Sequence, residues 1–299
     1  MTAASEPSVL GSESDAPATK RRIPFSRGLR LGLVGVVVFI VIGIVSRFWL
    51  PGGVDSIRYV DIASKLLPPF SDGHFLGTDH LGRDIMAQLM RATSNTLLII
   101  SLGTALSVSM GVTVGLVAAM FRGIAEQALM RIVDVIYAIP AVLLALVLAA
   151  KLGASVGTTV IALGIWFFPL IARVTRSAAL TVRERAFVDA ARTYGRGDLF
   201  IAWRHILPNV ISLVLVQVTL VMALGILVEA SLAFLGVGTQ PPEPSWGRML
   251  KESQDFMGEA PWLPIAPGLT IVLAVLAFNL VGNGLRDRLD RRSQAATID

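Results

Sequence analysis

The chain has 299 residues, of which 54% are hydrophobic and only 16% charged, with a formal net charge of +5. Soluble domains carry about 25% charged residues, so this composition excludes an ordinary soluble globule and points to lipid as the solvent. Cysteine is absent, which excludes disulfides, thiolate metal sites and thiol nucleophiles.

Residues 1–19 are rich in Ser, Ala, Glu and Pro, too polar to bury a core, and Lys20, Arg21, Arg22, Arg27 and Arg30 follow them. Residues 1–30 are therefore expected to form a disordered basic tail. The apolar run after it is long enough to span a bilayer, and no small-x-small cleavage site follows, which disfavours a cleaved signal peptide. The apolar runs predict six transmembrane helices, at 31–50, 94–120, 130–150, 156–176, 209–235 and 266–285. Period-two alternation, the mark of a membrane barrel, is missing. The fold class is thus all-α and polytopic. The organisation is a first helix and outer loop (31–93), a five-helix core (94–290) with an inner loop at 177–208, and a C-terminal tail at 291–299.

Basic residues set the expected orientation. With the N-terminus inside, 18 of the 26 Lys and Arg residues fall on the cytoplasmic side and 8 on the other. This bias predicts that both termini are cytoplasmic in a multi-pass protein of the cell membrane. It also accounts for the positive net charge without any role in nucleic-acid binding.

Within the spans, Gly103, Ser107, Gly111 and Gly115 recur every fourth residue of the second. Such a stripe lets two membrane helices approach closely. Pro140 and Pro169 are expected to kink the third and fourth spans, with neighbours satisfying the freed carbonyls. Asp134 is expected to pair with Arg131 at the start of the third span. Glu229 is a carboxylate inside the fifth; intramembrane charge is costly and is by default a functional hypothesis, so Glu229 is a candidate for the substrate pathway. The loop segments Gly77-Thr78-Asp79 with Gly82, and Gln240-Pro241-Pro242, read first as a turn with a helix cap and as a rigid loop.

The loop between the fourth and fifth spans is the most informative segment. Thr181 and Glu184 fit a capping box that would open a helix. Phe187, Ala190, Ala191 and Tyr194 then form one apolar stripe at i, i+3, i+4 and i+7, and Gly195 ends the helix in a left-handed cap. Asp198 would cap a second short helix running to Leu207, before Pro208 and the next span. An amphipathic helix of this kind lies among lipid headgroups or docks on a partner. The small Ala190 and Ala191 at its centre favour docking, because alanines add little lipid affinity but permit close helix approach.

Asp189-Ala190-Ala191, three residues, Gly195, and then Leu207-Pro208 resemble the cytoplasmic loop motif of ABC importer permeases. That motif reads Glu-Ala-Ala, three residues, Gly, nine residues, Ile, one residue, Leu-Pro. Asp189 stands here in place of Glu and His205 in place of Ile. Six ordered segments, at 76–84, 183–185, 204–209, 231–236, 240–247 and 284–287, narrow the resemblance to the C-type subunit of the binding-protein-dependent dipeptide, oligopeptide and nickel permease family. Asn283 departs from the Asp often found there. The resemblance implies a type I ABC importer permease architecture, with a first helix packed around a partner. Its implied partners are a second homologous permease, two ATP-binding-cassette ATPase subunits and an extracytoplasmic substrate-binding protein. It makes Phe187, Asp189, Ala190, Ala191, Tyr194 and Gly195 the ATPase-coupling helix. Short peptides are the first choice of substrate and nickel the second.

Other classes fit less well. Gly153-Ala154-Ser155-Val156-Gly157 matches a nucleophile-elbow pattern but falls in a tight turn between apolar helices, without the strand-turn-helix context that chemistry needs. An ion-coupled transporter would leave the amphipathic loop without a role. No phosphate-binding Gly-x-x-x-x-Gly-Lys-Ser/Thr loop is present, so no cofactor is expected on this chain, and ATP and Mg²⁺ are expected on partner subunits.

Overall fold

The computed structural model describes residues 27–298 apart from 72 and 122, with side chains described except at 54, 55 and 290–298. The expected basic tail lies outside it as far as residue 26, as does Arg122. Ten α-helices follow in order among the described residues: α1 (Arg27–Val45), α2 (Ile85–Met120), α3 (Ile124–Tyr137), α4 (Ala141–Leu152), α5 (Val156–Arg183), α6 (Ala186–Thr193), α7 (Asp198–Ile201), α8 (Leu207–Phe234), α9 (Trp246–Ser253) and α10 (Trp262–Ile298). Five segments are long and apolar enough to span a bilayer, and the bent pair α3–α4 makes a sixth. The expected six-span, all-α class therefore holds, while several boundaries move.

The central pair is α2 with α5, and its cause is visible in the sequence stripe. A Cβ at Gly111 would lie 2.8 Å from the Phe168 carbonyl oxygen, and one at Gly115 would lie 2.7 Å from Thr175 Cβ. In lipid there is no hydrophobic drive between helices, so close van der Waals packing over small residues holds such pairs together. At one end of the pair the buried Arg183 donates to the Ala119 carbonyl at the close of α2. A cation at a helix C-terminus is favoured by the helix dipole. α1 lies along α10, where a Cβ at Gly32 would meet the Val281 backbone nitrogen at 2.8 Å. α10 itself runs through the stretch expected as a C-terminal tail, as far as Ile298.

Three boundaries differ for physical reasons. α2 begins at Ile85, nine residues before the expected span, because Asp84 accepts from Ala87 N at 2.8 Å and caps it there. The expected third span breaks at Pro140 into α3 and α4, which meet at 85°. The freed Ile139 carbonyl accepts from Trp166 Nε1 of α5 at 3.1 Å, the kind of satisfaction a broken membrane helix requires. Pro169, by contrast, sits inside an α5 that continues to Arg183. That continuation overturns the capping box: Thr181 lies within α5, and its hydroxyl bonds back to the Ser177 carbonyl. α6 opens at Ala186 without a side-chain cap. Asp198 likewise caps nothing; it is the first residue of α7, which passes through a π-helical turn at Ala202–Ile206 straight into α8.

Candidate functional site

The loop helices gather at the end of the bundle where α5 stops and α8 begins. Gly195 adopts φ +72, its N–H donates to the Arg192 carbonyl at 2.8 Å, and Arg196 N donates to the Ala191 carbonyl at 3.2 Å. This is a Schellman-type end, and it turns the chain back from α6 to α7. The expected left-handed glycine is therefore in place.

The expected stripe is not one face. Val188 is fully buried and Ala191 only 8% exposed, both packed in the same cluster as Val182, Ile201 and Ile206 of this chain. Ala190 is exposed, Phe187 is 41% exposed and Tyr194 86%. The i, i+3 pair that turns inward is Val188 with Ala191, buried in one cluster with Val182, Ile201 and Ile206. Phe187 and Ala191 therefore face different ways, and Val188, outside the expected stripe, anchors α6. Facing out beside Phe187 and Tyr194 are Leu199 (65% exposed), Phe200 (44%) and Trp203 (46%). Five large apolar side chains thus cluster at one end of the molecule. Charged residues fringe them: Arg192 lies 3.8 Å from Asp189 and 3.5 Å from Asp198, and the Arg196 guanidinium lies 5.0 Å from the centroid of the Phe200 ring. An apolar centre with a charged rim is the anatomy of a protein interface.

The opposite end carries the 77–82 and 240–242 loop segments, and both are structural clamps. Asp79 accepts from Leu81 N, Arg83 N, Arg83 Nε and Gln88 Nε2 at 2.7–2.9 Å. Arg83 also reaches Glu252 of α9 at 3.1 Å. The cap of α2 is Asp84, not Asp79, and His74 Nδ1 sits 2.7 Å from it. In the second segment Glu243 accepts from Arg91 Nε at 2.9 Å and Asn95 Nδ2 at 3.2 Å, both on α2. Ser245 caps α9. The Arg91 guanidinium holds the Glu243 carboxyl below its ordinary value of 4.5, with Asn95 adding to the effect and partial burial opposing it. A depressed carboxylate stabilises the clamp above the unperturbed value, and the contribution fades as pH falls from 4.5 through the folded value. Protection of the residue 236–245 amides against hydrogen exchange, measured relative to the intrinsic rate at each pH, should therefore be high at pH 6 and lower near pH 3.5. Glu243→Gln should already exchange faster at pH 6 and lose most of that pH dependence.

Within the bundle, Glu229 is fully buried and Oε2 accepts from Thr96 of α2 at 3.1 Å. The carboxylate singled out as a pathway candidate is thus enclosed between α8 and α2 of its own chain. Asp134 does not pair with Arg131; its Oδ1 accepts from Arg173 Nη2 of α5 at 2.7 Å. Sequence proximity suggested Arg131, but the packing of α3 on α5 brings Arg173 nearer. Ser155 of the Gly-x-Ser-x-Gly stretch accepts from Thr158 N at 3.1 Å and caps α5, a structural role.

Comparison with known proteins agrees with this architecture. Residues 111–294 match the family model described as binding-protein-dependent transport system inner membrane component. The chain is 39% identical over 280 residues to a putative peptide transport system permease protein of Brucella suis, covering 94% of this chain and 93% of that protein. It is 38% identical over 255 residues to a glutathione transport system permease protein of Pectobacterium atrosepticum, covering 85% and 84%. It is 35% identical over 269 residues to a dipeptide transport system permease protein of Alkalihalophilus pseudofirmus, covering 89% and 87%. Among solved structures, an inward-facing MetNI methionine ABC transporter chain superposes with a TM-score of 0.57 at 18% identity, covering 70% of this chain and 97% of that one. At that identity the likeness concerns the fold.

Proposed function

The chain belongs to the inner-membrane components of binding-protein-dependent transport systems, and from that premise we propose that it forms half of the translocation pathway of a peptide importer. Its partners are a second homologous permease, two ATP-binding-cassette ATPase subunits and an extracytoplasmic substrate-binding protein. ATP hydrolysis belongs to the ATPases, with ATP and Mg²⁺ held there. The observation that carries the reading is the exposed apolar cluster of Phe187, Tyr194, Leu199, Phe200 and Trp203 beside the Gly195 turn. Its occupant is an ATPase subunit, with Asp189 and Ala190 at the same surface. Coupling requires this surface to bind differently in the two nucleotide states, since equal affinity shifts nothing.

Peptides are favoured over nickel by the donor chemistry. Among the described residues one group of three metal-type ligands lies together, Asp79, His80 and Glu252. Both carboxylates already serve guanidinium groups of Arg83 and Arg248. The test is uptake of labelled di- and tripeptides into vesicles holding this chain with its four partner components. Accumulation that needs both ATP and the binding protein is expected; nickel uptake without peptide uptake would reverse the choice.

Both termini and the α6–α7 end are assigned to the cytoplasm, from the basic bias. In this cysteine-free chain, Gln254→Cys should react with an impermeant thiol reagent on intact cells. Thr193→Cys should react only after permeabilisation. The opposite pattern would invert the topology.

A further inference from the structure

We propose that Phe70 and Phe75 form an aromatic knob on the outer face that seats in the extracytoplasmic substrate-binding protein; this rests on the importer reading above and names where that partner docks. The two rings meet edge to face, with centroids 4.8 Å apart, and the residues are 76% and 56% exposed. Phe70 N donates to the Phe75 carbonyl at 3.2 Å and His74 N to the Ser71 carbonyl at 2.7 Å, so a tight turn presents the pair. Phe70 takes its place there at φ +67, in the left-handed region that a bulky residue rarely enters. Glycine would close the same turn without strain, so the backbone gives no reason for an aromatic residue. Packing within the chain gives none either, since most of Phe70 is exposed. A role outside the chain is what such an observed outlier points to.

The height of the knob separates it from lipid. Arg47, just past α1, donates to Ser94 of α2 at 2.7 Å, which puts the exposed Phe48 and Trp49 near the level of Ser94. Aromatic side chains there form the belt expected where a span meets the headgroups. His74 lies 2.7 Å from Asp84, which puts the knob at the N-cap of α2. Asp84 precedes Ser94 by ten residues, and at about 1.5 Å per residue the knob stands about 15 Å further out. The headgroup layer is only about 6 Å thick on each side of the hydrocarbon. The two rings therefore lie in the water beyond the bilayer, where an exposed apolar patch marks a contact with another protein.

A second apolar run shares this surface. Tyr59, Val60 and Ile62 are exposed, and a hollow of about 350 Å³ beside the turn is lined by Tyr59 and Asp61 on one side and by His74 and Asp84 on the other. Two carboxylates face one imidazole in that hollow, so a basic side chain of the partner suits it. The loop that carries the knob is held at its base, where Asp79 bonds to Gln88 of α2 and Arg83 to Glu252 of α9. Little freedom is then lost on docking, which leaves more of the contact energy for affinity. Position selects the partner. The ATPases are assigned to α6 and α7 at the other end. The second permease must meet this chain along the spans, below the knob, to share a pathway with it. The binding protein, on which this family of transport systems depends, is the component that arrives from the outer side.

The test uses the assembled transporter in lipid nanodiscs and the peptide-loaded binding protein of the same system. Phe70→Gly removes one ring and relieves the positive φ; Phe75→Ser removes the other ring. Each should weaken binding of the binding protein at least tenfold, the size expected for an aromatic anchor at an interface. The unfolding temperature of the Phe70→Gly permease should be unchanged or raised, because a strained residue gives way to glycine. ATP hydrolysis in the absence of binding protein should be unchanged in both variants. A lowered unfolding temperature in Phe70→Gly overturns the proposal, because the ring would then serve the fold. Loss of the second permease on purification, with binding-protein affinity intact in the complexes that remain, assigns the knob to that permease and also overturns it. Wild-type binding that survives both substitutions brings down the knob alone. A wild-type transporter that binds no binding protein brings down the importer reading together with it.

Discussion

Ala190→Trp should leave the amount of permease in the membrane unchanged, yet lose ATPase co-purification and reduce uptake more than tenfold. Ala190 is exposed on α6 between Phe187 and Tyr194, where the proposed partner makes its closest approach. A bulky ring in a tight contact costs roughly 1–3 kcal/mol by overpacking, and about 1.4 kcal/mol is already a factor of ten in affinity. The neighbouring substitution separates docking from folding. Ala191 is only 8% exposed and packs with Val188 against Ile201 and Ile206 of the same chain, so Ala191→Trp should instead lower the yield of folded permease. Gly195→Val combines neither effect. Its φ is +72 and a Cβ there meets nothing within 4 Å, so the change costs about 1–2 kcal/mol of backbone strain and should tilt α6 with an intermediate loss of uptake. Asp189→Glu should be nearly silent, because the side chain is 69% exposed and its contact with Arg192 is long at 3.8 Å. Membrane abundance, ATPase recovered on purification and peptide uptake are the three measurements. Full ATPase recovery with Ala190→Trp would remove the docking surface from α6.

Gly82→Ala should destabilise the outer cap far more than Gly73→Ala, although both glycines sit in the left-handed region, at φ +76 and +85. At Gly73 a Cβ enters open space, so only the backbone strain of about 1–2 kcal/mol applies. At Gly82 a Cβ would collide with the Asp61 carbonyl oxygen and lie 2.7 Å from its carbon. That backbone cannot retreat without disturbing its bonded neighbours: Asp61 N donates to the Leu81 carbonyl at 3.0 Å, and Gly82 N donates to the Asp79 carbonyl at 3.0 Å. Overpacking adds roughly 1–3 kcal/mol to the strain. Asp79 and Arg83 join this turn to α2 and α9 through Gln88 and Glu252, so the disturbance spreads. Thermal unfolding of the purified permease should show a shift for Gly82→Ala at least twice that for Gly73→Ala. Equal shifts would mean that the 60–84 loop packs more loosely than described.

The sequence by itself determined the solvent, the number of spans and the family. These depend on composition, on runs of about 20 apolar residues and on fixed local spacings, all of which are properties of the chain before it packs. The stripe of Gly103, Ser107, Gly111 and Gly115 named the close-packed face of α2, and Gly195 named the turn after α6, because both follow from the absence of a side chain. Only the tertiary structure decided which side of α6 faces inward. A helix of eight residues and its C-cap with apolar side chains at 186, 187, 188, 190, 191 and 194 can bury either of two overlapping stripes. The gap left by Val182, Ile201 and Ile206, residues that come from three other elements, selects Val188 and Ala191. The same reason explains Asp134. Its neighbour in sequence is Arg131, but the 85° break at Pro140 and the packing of α3 on α5 bring Arg173 to it. Partners set by long-range packing are invisible to local pattern, because no residue near them in sequence records the geometry of the helix that will arrive.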